Sequence, residues 1–306
     1  INFSGHSHAP INTPTAINQT TYTQFTTGTL KYLTCDGSAT VGTHPANNTN
    51  AAQFTIVEVS TDNKVRMLPY DEYADQFFAP LGNEQADRIE YTVDVNDSSN
   101  WLYTSARKDN DAVPYFANNA NVTISDITFK AAQVTFDQAK DDTGVYAYDI
   151  ECISSTGTVT SSYRIYSEWY FSPMPSTLSY PVADLAANTT YTVSITPIDF
   201  FGNEGTAITK QFTTAEKSAD DMLTLTLHSV DNDNTWRFNV NNMELVASQY
   251  YKLPVTIDGT EGHVIIGKNA GTGRMVIWSN FFPLCGDAAI PTSSFTVTAG
   301  TVMQEV

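Results

Sequence analysis

The sequence of 306 residues is poor in basic side chains and in long apolar runs. Its 15 Lys and Arg stand against 33 Asp and Glu, and the resulting net charge of −18 repels phosphate backbones and anionic lipid surfaces. No apolar run approaches the roughly 18 residues that a membrane-spanning helix needs. We therefore expect neither nucleic acid nor a membrane among the partners of this chain.

Cysteine is scarce as well. Cys35, Cys152 and Cys285 lie more than a hundred residues apart, which fits neither a disulfide framework nor a paired-cysteine metal site. We expect them to act as small buried apolar side chains, with one long-range bridge as the alternative. The acidity, the low Lys content, the abundant Thr and the N-x-S/T sequons favour a secreted or cell-surface protein.

Helical periodicity is rare in this chain, whereas period-2 alternation and β-branched residues recur along its whole length. The pattern predicts a mainly β protein. The best helix candidate is the segment 71–78, whose aromatic side chains would share one face before Pro80 ends it.

Changes in this pattern divide the chain into three predicted domains. Residues 1–112 hold strand candidates followed by an irregular acidic segment from about Gly82, which we call the connector. Residues 113–215 hold strands spaced as in a β-sandwich. After a short charged linker, residues 216–306 alternate as a small C-terminal β domain. A chain of this length can bury such cores without disulfide bonds.

The segment from Leu185 to Asn203 is the most informative for the fold. It reads Leu-Ala-Ala-Asn-Thr-Thr-Tyr-Thr-Val-Ser-Ile-Thr-Pro-Ile-Asp-Phe-Phe-Gly-Asn. It resembles the end of a fibronectin type III domain, in which a Leu precedes a corner Tyr by six residues and a D-x-x-G-N turn follows. The resemblance implies an immunoglobulin-like β-sandwich over residues 113–215, with Tyr191 at the corner.

The sharpest chemical signal lies in the first ten residues, Ile-Asn-Phe-Ser-Gly-His-Ser-His-Ala-Pro. His6 and His8 follow an apolar strand at a spacing of two, so an extended backbone would project both imidazoles to one side. Gly5 leaves room for the backbone to approach a ligand. Imidazole binds zinc, iron and similar ions, and two histidines on a short loop can serve two metals in a hydrolase. The alternative is a polar loop that binds nothing.

The residues around this motif resemble the last metal-binding segment of calcineurin-like metallophosphoesterases. The resemblance covers about the first seventy residues: Phe-Ser-Gly-His-Ser-His-Ala-Pro-Ile-Asn, then Pro14, Ala16-Ile17 and Gln19, then Gln24-Phe25 leading to Thr-Gly-Thr-Leu-Lys-Tyr. It implies that His6 and His8 each bind one of two divalent metal ions, with zinc, iron and manganese all open. It also implies that the strands of residues 21–69 close an α/β catalytic sandwich.

Other motifs of that family do not occur in the sequence. D-x-H, G-D-x-x-D and G-N-H-D/E supply the remaining ligands, the bridging Asp and a His that acts on the leaving group. We therefore expect the chain to be the C-terminal part of a secreted metal-dependent phosphoesterase that begins inside the catalytic domain. The complete enzyme would hydrolyse a phosphoester substrate, whereas this chain alone would be inactive. Its catalytic residues stay unassigned, and the isolated His44, His228 and His263 are predicted to have surface or packing roles.

The alternative hypothesis is a non-catalytic accessory or adhesion module whose β domains bind a glycan or protein partner. Aromatic side chains of the sandwich region could stack on a sugar, but no polar constellation accompanies them. We predict that they pack in the interior. These residues are Tyr163, Tyr166, Trp169, Tyr170 and Phe171.

Overall fold

The computed structural model describes residues 1–82, 86–97, 99 and 101–216, together with the backbone of the strands that follow residue 221. Strands dominate, so the protein is mainly β, as predicted. The helices of the described residues are short 3-10 turns, Pro14–Ala16, Asn48–Asn50 and Ser105–Asn110. No helix of this part of the chain is long and apolar enough to cross a membrane. The chain divides into two compact units, Ile1–Thr214 and Ala215–Val306.

A small sheet opens the first unit. It consists of β1 (Asn2–Ser4), β2 (Ile17–Gln19) and β3 (Thr23–Thr26). The central strand, β3, pairs in parallel with β1 and antiparallel with β2. Because β1 lies at the edge, Phe3 is 41% exposed, whereas Phe25 on β3 is fully buried.

A second sheet follows it. Its strands are β4 (Gly28–Thr29), β5 (Gln53–Val59), β6 (Lys64–Asp71), β7 (Gln76–Phe77) and β8 (Tyr91–Asp94). The order is β4-β5-β6-β7, and β8 also pairs with β6. Met67 on β6 and Tyr91 on β8 pack against Ile11, Ile17 and Phe25 in one core. The two small sheets therefore share their interior.

The helix predicted over 71–78 is wrong. Asp71 ends β6, a turn follows, and β7 returns the chain to pair with β6. The buried Asp71 carboxylate accepts a hydrogen bond from the backbone N–H of Ala74 at 2.9 Å, and Asp75 has a left-handed φ of 54°. These two local features close a turn where a helix was predicted. Asp suits such a turn, because its side chain bonds to nearby backbone N–H groups and it tolerates the left-handed conformation.

A β-sandwich forms the rest of the first unit. Its strands are β9 (Val122–Ser125), β10 (Ala132–Asp137), β11 (Val145–Ser154), β12 (Val159–Tyr166), β13 (Thr177–Val182), β14 (Thr190–Asp199) and β15 (Ile208–Thr213). They form a three-stranded sheet, β13-β10-β9, and a four-stranded sheet, β12-β11-β14-β15. Val134 and Phe136 of one sheet and Ile150 and Val193 of the other are all buried in the core between them.

The contacts expected from the Leu-to-Asn segment are present. The backbone N–H of Ala186 donates to the hydroxyl of the buried Tyr191 at 2.9 Å, which forms the tyrosine corner. At the end of β14, Asp199 Oδ1 accepts hydrogen bonds from the backbone N–H groups of Phe201 and Asn203, each at 2.8 Å.

The junction between the two small sheets and the sandwich has a core of its own. Leu33, Cys35, Ala39 and Ala51 pack there against Tyr166, Trp169 and Tyr170. Trp169 is 2% exposed, and the side-chain amide of Asn12 donates to its carbonyl oxygen at 2.8 Å. Tyr166, Trp169 and Tyr170 therefore pack in the interior, as predicted. Tyr163 and Phe171 are half-buried and pack against the sandwich core and the junction core respectively. The domain boundary predicted at 112/113 lies inside this compact first unit.

Two of the three cysteines lie in the described residues. Cys35 and Cys152 are buried and unbridged, which confirms the predicted apolar role. Burial, assisted by the charge of Asp36, raises the pKa of Cys35 to about 12, so this thiol stays protonated. Cys285 lies outside the described residues.

The second unit contains a seven-stranded sheet of order β21-β16-β17-β20-β19-β18-β22. Its strands are β16 (Met222–Val230), β17 (Thr235–Asn241), β18 (Tyr250–Ile257), β19 (Thr260–Lys268), β20 (Met275–Trp278), β21 (Phe295–Thr298) and β22 (Met303–Glu305). The boundary predicted at 215/216 lies one residue from the division between the units. The roles predicted for His228 and His263 concern side chains outside the described ones.

Candidate functional site

The histidine loop, residues 5–8, begins where the edge strand β1 ends. Both the backbone N–H and the hydroxyl of Thr27 donate to the carbonyl oxygen of Ser4, at 2.9 and 3.2 Å. A Cβ on Gly5 would lie 3.2 Å from the hydroxyl oxygen of Thr27. Glycine at this position therefore allows Thr27 to pack closely against the start of the loop.

His6 and His8 both have left-handed backbones, with φ of 76° and 55°. This conformation costs a residue other than glycine about 1–2 kcal/mol, and such strain is concentrated at functional sites. It also ends the extended backbone at Ser4. The prediction that both imidazoles project to one side assumed an extended backbone through His8, and it therefore does not apply.

The His8 side chain is oriented by the backbone. Its Nδ1 lies 3.0 Å from the carbonyl oxygen of Tyr32, and a carbonyl only accepts, so Nδ1 carries the proton. In the neutral ring, the lone pair then lies on Nε2, the arrangement by which proteins orient metal-binding imidazoles. The carbonyl oxygen of His8 also accepts a hydrogen bond from the N–H of Thr34 at 2.9 Å.

Tyr32 brings a third histidine near the loop. Its ring centroid lies 4.4 Å from that of His8 and 5.5 Å from that of His44. The sequence predicts only a surface or packing role for His44, because nothing local connects it with the motif. His44 is exposed, and its Nδ1 forms a 2.9 Å hydrogen bond with the Thr43 hydroxyl. His6 is also exposed.

The histidine loop alone does not form a set of ligands that could hold an ion. Among the described residues, no group of three His, Cys, Asp or Glu side chains that could hold an ion includes His6 or His8. A catalytic zinc site usually has three protein ligands and an open position. The oriented imidazole of His8 fits such a ligand set, and further ligands are needed to complete it.

A second group of possible ligands lies between the connector and the sandwich, and we call it the acidic cluster. One carboxylate oxygen from each of Asp111, Asp141 and Asp142 lies within 4.8 Å of the other two. Asp111 directly follows the 3-10 turn Ser105–Asn110, and the other two lie between β10 and β11. The fold thus joins residues that are about thirty positions apart in the chain.

Asp141 is the most enclosed member of this cluster. It is 7% exposed, and its Oδ2 accepts hydrogen bonds from both the backbone N–H and the hydroxyl of Thr143 and from the N–H of Gly144. Its Oδ1 is buried and has no hydrogen-bond partner among the described residues. The hydroxyl of Thr143 also donates to Asp111 Oδ2 at 3.3 Å.

The carboxylates of the acidic cluster are hard to ionise together. Burial, a hydrogen bond with Asp199 and the charge of Asp141 raise the pKa of Asp111 to about 7. Burial also raises the pKa of Asp141, against hydrogen bonds from Thr143 and Gly144. Perturbed groups of this kind mark candidate functional sites. In the sequence, the only signals of this cluster are the tandem pair Asp141-Asp142 and the acidic composition of the connector.

Comparisons with known proteins leave the family open. No family model matches the chain, and no curated protein matches it. Among solved structures, the chain is similar to the chitinase ChiA74 from Bacillus thuringiensis, with 16% identity and a TM-score of 0.24. That match covers 58% of this chain and 25% of the chitinase chain. A similarity of this extent identifies neither a family nor an activity.

Proposed function

We propose that this chain carries the last metal-binding loop of a metal-dependent phosphoesterase, with His6 and His8 as ligands of divalent metal ions. The observation that carries this proposal is the hydrogen bond from His8 Nδ1 to the Tyr32 carbonyl oxygen, which directs the lone pair to Nε2. The backbone N–H of Thr34 gives further support, because it donates to the His8 carbonyl oxygen at 2.9 Å and so also fixes the backbone of His8.

The remaining ligands would come from residues outside this chain, because two imidazoles alone leave an ion largely coordinated by water. Divalent ions at the completed site would supply a water of lowered pKa and positive charge beside the phosphoester. The contribution of this chain is to hold two nitrogen donors in place. Thr27 fixes the start of the histidine loop, and Tyr32 and Thr34 fix His8.

The alternative, an accessory or adhesion module, has less support from the described residues. Trp169 and Tyr170 are each 2% exposed, so neither offers a ring face to a sugar. A glycan or protein partner would have to use another surface.

Phosphatase assays on the protein encoded by the complete reading frame test the proposal. We expect it to hydrolyse p-nitrophenyl phosphate or its bis-ester with manganese or zinc, and the chain of residues 1–306 to give no hydrolysis above buffer. His6→Ala and His8→Ala should each lower kcat/KM by at least about 100-fold, because each removes a ligand. His44→Ala is the matched control and should change it by less than about threefold.

Two outcomes would contradict the proposal. One is a reading frame that encodes no further metal-binding motifs upstream of Ile1. The other is an active enzyme in which His6→Ala and His8→Ala cost no more activity than His44→Ala.

A further inference from the structure

We propose that the acidic cluster is a binding site for a divalent cation of the calcium type, separate from the histidine loop. Calcium binds oxygen ligands at about 2.3–2.6 Å, so two oxygens on opposite sides of one ion lie about 4.8 Å apart. The carboxylate oxygens of Asp111, Asp141 and Asp142 all lie within 4.8 Å of one another. One ion can therefore contact all three without a large rearrangement.

The unpartnered oxygen of Asp141 points independently to a ligand. Asp141 is 7% exposed, and its Oδ1 is buried without a hydrogen-bond partner in the described residues. A buried polar atom without a partner costs about 1–3 kcal/mol, and a charged one costs more. A cation between the carboxylates would supply the missing partner.

A further carboxylate beside the acidic cluster also supports a cation site. Asp199 is 1% exposed and lies within hydrogen-bond distance of Asp111, so a fourth carboxylate adjoins the cluster. Asp199 Oδ1 is held by the backbone N–H groups of Phe201 and Asn203. Ionised carboxylates that the fold draws together repel one another, and a cation between them would relieve this repulsion.

Close backbone packing holds the ligands in position. A Cβ on Gly82 would lie 2.1 Å from the carbonyl oxygen of Asp142, and a Cβ on Gly144 would lie 2.5 Å from the Cβ of Leu81. The turn that carries Asp141 and Asp142 is therefore packed directly against residues 81–82. A site built in this way needs little ordering when an ion binds.

The donor atoms select the class of ion. The three members of the acidic cluster offer only carboxylate oxygens, which suit hard cations with irregular coordination, whereas imidazoles suit zinc and similar metals. A bound ion would connect Asp111, at the end of the connector, with the turn that precedes β11. The site would thus stabilise the connector against the sandwich.

Calorimetric titration of the full chain with calcium chloride, after treatment with EDTA, tests this inference. We expect one site with a dissociation constant in the range of about 10 μM to 1 mM, and calcium should raise the melting temperature of the first unit. Asp142→Asn should weaken binding at least about tenfold, because it removes a ligand charge. Asp142 is exposed, so this variant should fold, and Asp141→Asn is the second variant.

The matched control is Asp109→Asn, which removes an exposed charge two residues from Asp111. It should leave the affinity within about twofold of wild type, since a surface charge outside the cluster is screened. Unchanged binding in the double variant His6→Ala/His8→Ala would show that the site is independent of the proposed phosphoesterase function. No binding at 10 mM calcium, or equal binding in wild type and Asp142→Asn, would overturn the inference.

Discussion

The histidine loop and the acidic cluster present possible metal ligands in opposite ways. The loop places two nitrogen donors side by side in the sequence, on a left-handed backbone after an edge strand. The acidic cluster gathers oxygen donors from separate segments, around a carboxylate that is 7% exposed. The first arrangement is local, and the second exists only because the connector and the β10–β11 turn meet.

This difference predicts opposite responses to changes in the backbone. The histidine loop bears strain in residues that are not glycine, so glycine should relieve it. The acidic cluster depends on glycines at points of closest approach, so any side chain there should disturb it. Two substitutions, each with a control, test this contrast, and a third tests how the environment of a carboxylate affects stability.

The largest effect is expected for Gly144→Ala. Gly144 has a φ of 104°, and an added Cβ would lie 2.5 Å from the Cβ of Leu81. Backbone strain and overpacking together should lower the free energy of unfolding by about 3 kcal/mol. Urea denaturation measures this loss, and calcium binding should weaken in parallel.

Gly157→Ala is the matched control for that substitution. Gly157 also has a positive φ, 82°, but an added Cβ would meet nothing within 4 Å. It should therefore cost only the backbone strain, about 1 kcal/mol. If both variants lose the same stability, the close packing around the β10–β11 turn contributes nothing.

A smaller effect of opposite sign is expected for His6→Gly. Glycine adopts a φ of 76° freely, and part of the gain is cancelled by its greater freedom in the unfolded chain. The free energy of unfolding should rise by about 0.5–1 kcal/mol, as measured by urea denaturation. The proposed phosphoesterase activity of the complete protein should be lost at the same time.

Asn63→Gly is the control for this variant, because Asn63 has a similar φ of 62° in the hairpin turn between β5 and β6. Asn tolerates this conformation, so the gain should be only a few tenths of a kcal/mol. A destabilised His6→Gly variant would mean that the His6 imidazole makes contacts that support folding.

The smallest effect is expected for Asp36→Asn. The surroundings of Asp36 lower the pKa of its carboxyl, whereas those of Asp111 raise the pKa. The partial desolvation of its carboxyl would by itself raise the pKa of Asp36, but hydrogen bonds from Tyr146, Ser38 and Tyr166 outweigh it and lower that pKa. The stabilisation is therefore present above the unfolded pKa of about 4 and is lost as the pH falls through the lower folded pKa.

At pH 7, Asp36→Asn should lower the free energy of unfolding by less than about 1 kcal/mol, because the side chain is exposed and screened. The difference from wild type should shrink as the pH falls through the lowered folded pKa, so denaturation should give a smaller difference at pH 3 than at pH 7. A difference that grows at low pH would contradict the direction of the shift.

The features of the fold that were predicted correctly depend on residues close together in the chain. The corner formed by Tyr191 and the Asp199 turn depends on residues close together in the chain, and both were expected from the resemblance to a fibronectin type III domain. The mainly β class follows from alternation. The helix predicted over 71–78 failed because Asp75 adopts a left-handed φ of 54° and Gln76–Phe77 pairs with β6, and neither feature follows from the local pattern.

The two candidate sites were predictable from the sequence only where their residues are neighbours in the chain. His6 and His8 are visible as a motif, but their positive φ values depend on how Thr27, Tyr32 and Thr34 hold the chain. The acidic cluster was missed, because nothing in the sequence places Asp111 beside Asp141. That contact follows from the packing of the connector on the sandwich.

The anchoring of the chain directly after the histidine loop has a consequence for affinity. The backbone N–H of Ile11 is bonded to Gln53, and the side chain of Asn12 is bonded to the carbonyl of Trp169. The conformational entropy of this segment is therefore lost when the first unit folds, not when a metal ion binds. Loosening the junction around Trp169 would then weaken the proposed metal binding, even with both imidazoles intact.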